Sequence, residues 1–195
     1  MKKILLLFIL VLSCKKEVYY YPSEDFFEEY SPVEIIIDDL SFEEVTDSIR
    51  NGLYRKEKYF IELEDTNFQY RISPFADTGG FIRERNGLFI RNDSLDLIKG
   101  IFPISNLSKY LKLHYENNDK EYFYASSYKW AFIKLVLENE DSSKRVKKLL
   151  LKIVKTFKET NIDSKDSIKL NILLDYPLER VYLTPPPPSP ITKED

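Results

Sequence analysis

The chain has 195 residues, of which 43% are hydrophobic and 31% are charged, and this balance excludes an intrinsically disordered protein. Its net charge of −3 disfavours nucleic-acid binding, which needs clustered positive charge to displace counterions. The sequence contains one Cys and one His. These are too few for an internal disulfide, or for a structural zinc site with four Cys and His ligands. We therefore expect no cofactor, no metal and no nucleic-acid partner.

The first residues have the pattern of a bacterial signal peptide. Lys2 and Lys3 give it a positive start, and the apolar run at 4–12 is too short for a bilayer core, which takes about 20 helical residues. Val11-Leu12-Ser13-Cys14 follows and resembles the bacterial lipobox, with an aliphatic residue three before the Cys and a small one just before it. The resemblance implies a signal peptide at 1–13, cleavage before Cys14, and acylation of the Cys14 thiol and of the new amine.

The expected anchor predicts where the protein resides. Two or more acyl chains hold a protein stably on a bilayer, because each buried methylene contributes about 0.8 kcal/mol. Retention in the inner membrane is usually signalled by an Asp directly after the lipidated Cys, and this sequence has Lys15 at that position. We therefore expect a lipid-anchored cell-envelope protein at the outer membrane. Loss of Lys2 and Lys3 changes the net charge from −3 to −5. The alternative is a secreted or uncleaved leader with a Cys there by chance.

Residues 14–32 are expected to be a tether between the anchor and a single domain at 33–183. A tether that only provides reach is rich in Gly and Ser, whereas this one is rich in aromatic residues. These rings either pack back on the domain or form an exposed stacking surface for a glycan or a protein partner. The aromatic residues nearest the anchor are Tyr19, Tyr20 and Tyr21.

The first half of the domain is predicted to place one helix among strands. Ser41 and Glu44 have the spacing of a capping box, and the apolar periodicity that follows predicts a helix over 42–53. Asn86-Gly87 lies between two apolar runs and predicts a β-hairpin, because a type I′ turn needs positive φ at both positions. Strands are predicted at 33–37, 59–63 and 68–72.

The second half is predicted to contain two helices, over 106–116 and 143–158. The first begins after Ser105 and carries His114 on its apolar face. The second has an apolar stripe, and its opposite face carries Lys144, Lys148, Lys152 and Lys155. Strands are predicted at 121–125, 129–137, 168–174 and 180–183, and residues 184–195 form an extended, Pro-rich tail. The chain is therefore predicted to be an α+β protein, with a mixed or antiparallel sheet and about three helices on one face.

The order of elements over 101–183 supports a comparison with a known family. Phe132-Ile133-Lys134-Leu135-Val136-Leu137, the helix at 143–158 and the strand at 168–174 resemble the periplasmic domain of ExbD-type biopolymer-transport proteins. The resemblance implies two helices on one face of a small sheet, and binding of partners in the envelope. The transmembrane helix of that family, with its membrane-embedded Asp, has no counterpart here, so a proton-channel role is not implied.

Three patterns suggest hydrolytic chemistry. Ser126 and Lys129 have the Ser-x-x-Lys spacing of penicillin-recognising enzymes, but the predicted strands around them place positions i and i+3 on opposite faces. His114 is the only imidazole, and on an apolar helix face it is expected to pack rather than to act as a base. Paired acids serve glycosidases or bind calcium, yet acids before a helix or in its first turn also favour the helix dipole. The acid clusters are Asp38-Asp39, Glu43-Glu44, Asp93 with Asp96, and Glu138 with Glu140-Asp141.

The lysine-rich helix face is either a solvated surface or a site for an anionic partner. The second interpretation is favoured by the absence of any acidic residue from 142 to 158. The expected function is that of a non-catalytic binding or accessory lipoprotein, attached to the membrane through Cys14 and contacting an envelope protein or a glycan. Two alternatives remain. One is a small envelope hydrolase that uses carboxylates or the Ser126 and Lys129 pair, and the other is a structural subunit of an envelope complex.

Overall fold

A computed structural model describes residues 16–77, 83–162 and 168–177. In these residues four α-helices and two mixed sheets form an α+β fold, which confirms the predicted class. Cys14, the strand predicted at 180–183 and the Pro-rich tail lie outside the described residues.

The smaller sheet has four strands, β1 (Glu17–Tyr21), β2 (Val33–Glu34), β3 (Tyr59–Glu64) and β4 (Phe68–Ile72). Their order across the sheet is β1-β4-β3-β2. β3 and β4 are antiparallel and confirm the two strands predicted at 59–63 and 68–72, whereas β1 and β2 join them in parallel. The strand predicted at 33–37 is shorter than expected, and after β2 only the amide of Ile35 continues the ladder, to the Phe60 carbonyl at 2.8 Å.

Most of the expected tether is folded structure. β1 and the helix α1 (Glu24–Tyr30) occupy residues that were predicted to link the anchor to the domain. Tyr21 is only 5% exposed, and its ring meets that of Phe157 edge-on at 6.0 Å. Except for Tyr30, which is 48% exposed, the aromatic residues that distinguish this segment from a Gly- and Ser-rich linker pack on the domain. They give β1 enough buried surface to join the sheet.

The larger sheet has six strands, β5 (Phe75–Ala76), β6 (Gly87–Arg91), β7 (Ser94–Leu97), β8 (Gly100–Pro103), β9 (Phe132–Val136) and β10 (Ile172–Asp175). Their order across the sheet is β5-β10-β9-β6-β7-β8. β5, β10, β9 and β6 run parallel, and β7 and β8 extend the sheet as an antiparallel meander. Because the central strands are parallel, β6, β9 and β10 all begin at the same end of the sheet.

Three longer helices share one apolar core with this sheet. They are α2 (Phe42–Arg55), α3 (Leu107–Tyr115) and α4 (Ser143–Glu159), close to the predicted bounds. The capping box is confirmed, because the amide of Glu44 donates to Ser41 Oγ at 3.2 Å and the amide of Ser41 donates to Glu44 Oε2 at 2.7 Å.

The hairpin predicted at Asn86-Gly87 is wrong in position. Asn86 ends a short 3₁₀ turn and Gly87, with φ −97°, begins β6. The hairpin between β6 and β7 turns at Asn92-Asp93 instead, where φ is 47° and 57°. Asn86 makes a tertiary contact instead of a turn, because its side-chain oxygen accepts a hydrogen bond from the Ser126 amide at 3.1 Å.

The prediction of a strand at 121–125 is also wrong. The strands predicted at 129–137 and 168–174 are present as β9 and β10, which are shorter than expected. Residues 116–131 form a loop, here called the α3–β9 loop, that the side chain of Asn117 organises. Its Nδ2 donates to the carbonyls of Glu121 and Ala125 at 2.8 Å each, and its Oδ1 accepts from the Glu121 amide at 2.8 Å. These bonds satisfy backbone groups that a strand would have paired with a neighbour.

Candidate functional site

The histidine is held in the interior by two hydrogen bonds. α3 carries His114 to the start of β6, where Nε2 donates to the Asn86 carbonyl at 2.9 Å. Nδ1 accepts from the amide of Ala125, in the α3–β9 loop, at 3.3 Å. Burial lowers the pKa of His114 to about 4, so the ring is neutral at pH 7. The prediction that His114 packs is confirmed, since Nε2 bonds the backbone immediately before β6 and Nδ1 bonds the α3–β9 loop.

The Ser126 hydroxyl is likewise engaged in the fold. Its Oγ donates to Asn86 Oδ1 at 3.2 Å, next to the bond that the Ser126 amide makes to the same oxygen. Lys129 is exposed. Across the residues that the structure describes, no hydrogen bond joins Ser126 to Lys129 or to His114. A serine nucleophile requires an adjacent base, and the described residues do not place one beside this hydroxyl.

The acid clusters are spread over the fold and mostly serve local structure. Asp141 accepts from Arg145 at 2.6 Å and from the Glu138 amide at 3.0 Å, Asp38 pairs with Lys147, and Glu44 completes the capping box. Among the described residues, no group of three or more His, Cys, Asp or Glu side chains converges in a way that would hold a metal ion.

The tyrosines near the anchor do not form a free stacking surface. Tyr21 is buried, and Lys158 Nζ lies 3.7 Å from the centre of the Tyr19 ring. The Tyr20 ring packs edge-on against Phe27 at 5.1 Å. Tyr19, Tyr20 and Tyr21 therefore pack back on the domain, which is the first of the two alternatives that the sequence left open.

A different set of exposed apolar side chains lies at the end of the larger sheet where β6 and β9 begin. We call it the aromatic rim, and it consists of Ile98, Tyr122, Phe123 and Trp130, which are 57%, 68%, 42% and 68% exposed. Ile98 and Phe123 also line a shallow cavity of about 260 Å³ together with Arg85 and Arg91. Sequence reasoning missed the rim because Tyr122 and Phe123 lie in the run that was assigned to a strand.

The lysines of α4 fall into two groups. Lys147 pairs with Asp38, Lys155 pairs with Asp65 at 2.9 Å, and Lys158 lies over two rings. In the described part of the chain, the side chains of Lys144, Lys148 and Lys152 have no ion-pair, hydrogen-bond or ring partner. Their four-residue spacing places them along one side of the helix, and we call them the lysine stripe. Lys155 was predicted to belong to this surface, but its pairing with Asp65 removes it.

A groove lined by both apolar and charged residues borders the lysine stripe. Lys148 and Lys152 line a cavity of about 440 Å³ together with Lys155, whose ammonium group is paired with Asp65. The cavity also includes Ile104 and Leu151, which are half-buried. Asp93 lies at the same groove and pairs with Arg145 at 3.5 Å. Positive charge thus lies beside apolar surface.

No helix in residues 16–77, 83–162 and 168–177 combines the length and the apolar character needed to cross a bilayer. The chain matches no protein-family model, and no curated protein and no solved structure matches it. Two surfaces of the described residues are candidates for a contact site, namely the lysine stripe with its groove and the aromatic rim.

Proposed function

We propose that this chain is a lipid-anchored protein of a bacterial cell envelope, attached through acylated Cys14 at the outer membrane, and that it works as a non-catalytic binding module. The observation that carries the binding role is the lysine stripe. In the described residues Lys144, Lys148 and Lys152 have no partner, although the neighbouring Lys147 and Lys155 on the same helix are paired with acids. We propose that the partner is an envelope protein with an acidic surface.

The groove beside the stripe explains how such a partner binds by more than charge. An exposed lysine on its own contributes little to affinity, because the ammonium group stays hydrated and salt screens it. Apolar side chains of a partner that enter the groove between Ile104 and Leu151 displace water there. Carboxylates that flank those side chains then meet Lys148 and Lys152, which sets orientation and accelerates association.

The positions of the two candidate catalytic residues also support binding over hydrolysis. His114 and Ser126 direct their hydrogen-bonding groups at Asn86, and His114 also holds Ala125. Both residues therefore act in the attachment of the α3–β9 loop. A hydrolase would require one of them to turn towards a substrate and to give up those bonds.

The anchor is tested by mass spectrometry of the protein extracted from membranes. We expect the chain to begin at Cys14 with acyl groups on its thiol and amine. Cys14→Ser is expected to move the protein from the membrane fraction to the soluble one. An uncleaved leader or a bare thiol at Cys14 would contradict the proposal.

The binding role is tested by crosslinking the lipidated protein in intact cells and measuring how much partner it retains. Lys144→Glu, Lys148→Glu and Lys152→Glu together are expected to reduce retention at least about tenfold, since each lysine-to-carboxylate contact becomes a repulsion. Lys112→Glu, Lys129→Glu and Lys169→Glu, three exposed lysines outside α4, make the same charge change and are expected to leave it intact.

Two outcomes favour the alternatives. A permanent complex that resists salt and ignores the charge reversal would indicate a structural subunit of an envelope assembly. Turnover of a cell-wall substrate by the purified protein, without any retained partner, would indicate the hydrolase.

A further inference from the structure

We propose that the aromatic rim lies in the interfacial region of the same bilayer that holds the lipid anchor, so that this end of the domain rests on the membrane. The inference rests on the proposed acylation of Cys14. It assigns a lipid surface as the partner of Ile98, Tyr122, Phe123 and Trp130, and it sets the orientation of the whole protein.

The first step is the short distance between the anchor and the folded domain. β1 begins at Glu17, and Lys16 already binds Glu64 across a 2.9 Å ion pair. A residue spans at most about 3.6 Å of chain, so the two residue steps between Cys14 and Lys16 reach at most about 7 Å. A bilayer that takes up the acyl chains must therefore come close to the start of β1.

The second step connects β1 to the end of the domain that carries the rim. Tyr21 in β1 packs on Phe157 in the last turn of α4 at 6.0 Å. Phe157 in turn packs on Tyr115, the last residue of α3, at 5.3 Å. The α3–β9 loop, with Tyr122, Phe123 and Trp130, follows directly. Tyr21 is the last residue of β1, so these two ring contacts place the end of β1 at the origin of this loop. The part of β1 nearer the anchor is held at the same end of α4, because Lys158 Nζ lies 3.7 Å from the centre of the Tyr19 ring.

The topology of the larger sheet places all four rim residues at that end. His114, one residue before the end of α3, is bonded to Asn86 immediately before β6, so α3 ends where β6 begins. Trp130 lies just before β9, which is parallel to β6. Ile98 lies in the turn between β7 and β8, and β7 runs antiparallel to β6, so this turn is at the same end.

The chemistry of the rim suits a membrane interface. Trp and Tyr prefer the headgroup region of a bilayer, where their rings leave water while their polar atoms stay hydrated. The surrounding charges are mixed, because Lys120 and Lys129 lie in the same loop as Glu116 and Glu121, and Lys99 donates to the hydroxyl of Tyr124 in that loop. Zwitterionic headgroups fit such a surface better than a strongly anionic one.

The protein supplies its own probe, because Trp130 is the only Trp in the chain and is exposed. The lipidated protein is reconstituted into vesicles of phosphatidylcholine and phosphatidylethanolamine, with bromine placed on acyl carbons close to the headgroup. We expect blue-shifted Trp130 emission, strong quenching by the bromine, and protection from aqueous iodide. Tyr122→Ser with Phe123→Ser is expected to reduce the bromine quenching by roughly half or more, because the rim loses its apolar area.

Tyr54→Ser is the matched control, because Tyr54 is an exposed aromatic residue on α2 and outside the rim; we expect unchanged quenching. Vesicle-bound protein whose Trp130 emits as in water, and which iodide quenches freely, would overturn the inference. Acylation is measured by mass in the same sample, so a missing anchor is distinguished from a rim that stays in water.

Discussion

The single histidine of this chain and Asn86 are joined by a buried hydrogen bond, in which Nε2 of His114 donates to the backbone carbonyl of Asn86 at 2.9 Å. A carbonyl can only accept, so Nε2 carries the proton, and Nδ1 is free to accept from the amide of Ala125. The neutral ring thereby connects the end of α3, the start of β6 and the α3–β9 loop, and its protonation would break one of the two bonds.

We predict that stability falls in mildly acidic solution because of His114. Burial lowers the pKa of the ring from 6.5 to about 4, so the unfolded chain binds a proton that the folded protein excludes. The contribution is complete above pH 6.5 and is lost as the pH falls towards 4. Urea unfolding at pH 7 and at pH 4.5 is expected to differ by roughly 2–3 kcal/mol from this group.

His114→Gln is the control for this pH dependence. The variant is expected to be less stable at pH 7 by about 1–3 kcal/mol, because it loses buried hydrogen bonds, and to show a flatter profile between pH 6.5 and 4. An unchanged profile in the variant would assign the effect to other groups.

Asp65 is predicted to hold the turn between β3 and β4. Hydrogen bonds from Lys155, then from the Phe68 and Asn67 amides, keep the pKa of its carboxyl well below the usual range. Its contribution to stability is therefore present above about pH 4 and lost below it, in a window separate from that of His114.

Two variants separate the roles of Asp65. At pH 7, Asp65→Ala is expected to cost about 1–3 kcal/mol in the free energy of unfolding, because the two amides lose their acceptor. Asp65→Asn keeps an acceptor oxygen and is expected to cost less. Equal losses in the two variants would show that the charge, and not the turn, is what matters.

Gly87 is predicted to be required because there is no room for a larger side chain at this position, and not because of its backbone conformation. Its φ of −97° suits any residue, but an added Cβ would lie 2.9 Å from ring atoms of Phe132 and Phe89. Gly87→Ala is expected to destabilise the protein by about 1–3 kcal/mol through overpacking. A double-mutant cycle with Phe132→Leu, measured by denaturant unfolding, is expected to recover part of the loss, whereas additive losses would exclude this contact as the cause.

Lys158 is predicted to fasten β1 to α4. Its Nζ lies 3.7 Å from the Tyr19 ring centre and 3.1 Å from that of Phe68. Lys158→Ala is expected to cost about 1–2 kcal/mol and to speed hydrogen exchange in β1. Lys144→Ala, on the same helix but in the lysine stripe, is expected to change stability by less than about 0.5 kcal/mol. Similar effects from both substitutions would refute the ring contacts as the cause.

The sequence predicted those elements whose causes are local. The capping box at Ser41 and Glu44, the apolar stripe of α4 and the pair of strands joined at Asp65 depend on residues within a few positions of each other, and all are present. The Asn86-Gly87 hairpin failed because local turn preference was overridden by contacts with Ser126 and Phe132, which lie 40 or more residues away.

The lysines of α4 show the same division for the candidate sites. Periodicity places Lys144, Lys148, Lys152 and Lys155 on the polar face of a helix, and sequence alone determines that much. Whether a lysine is free depends on acids brought near it by the fold, and Asp65 reaches Lys155 from the smaller sheet. Charge pairing acts through space at a few ångströms, so only the tertiary structure decides which lysines stay free and which aromatic rings stay exposed.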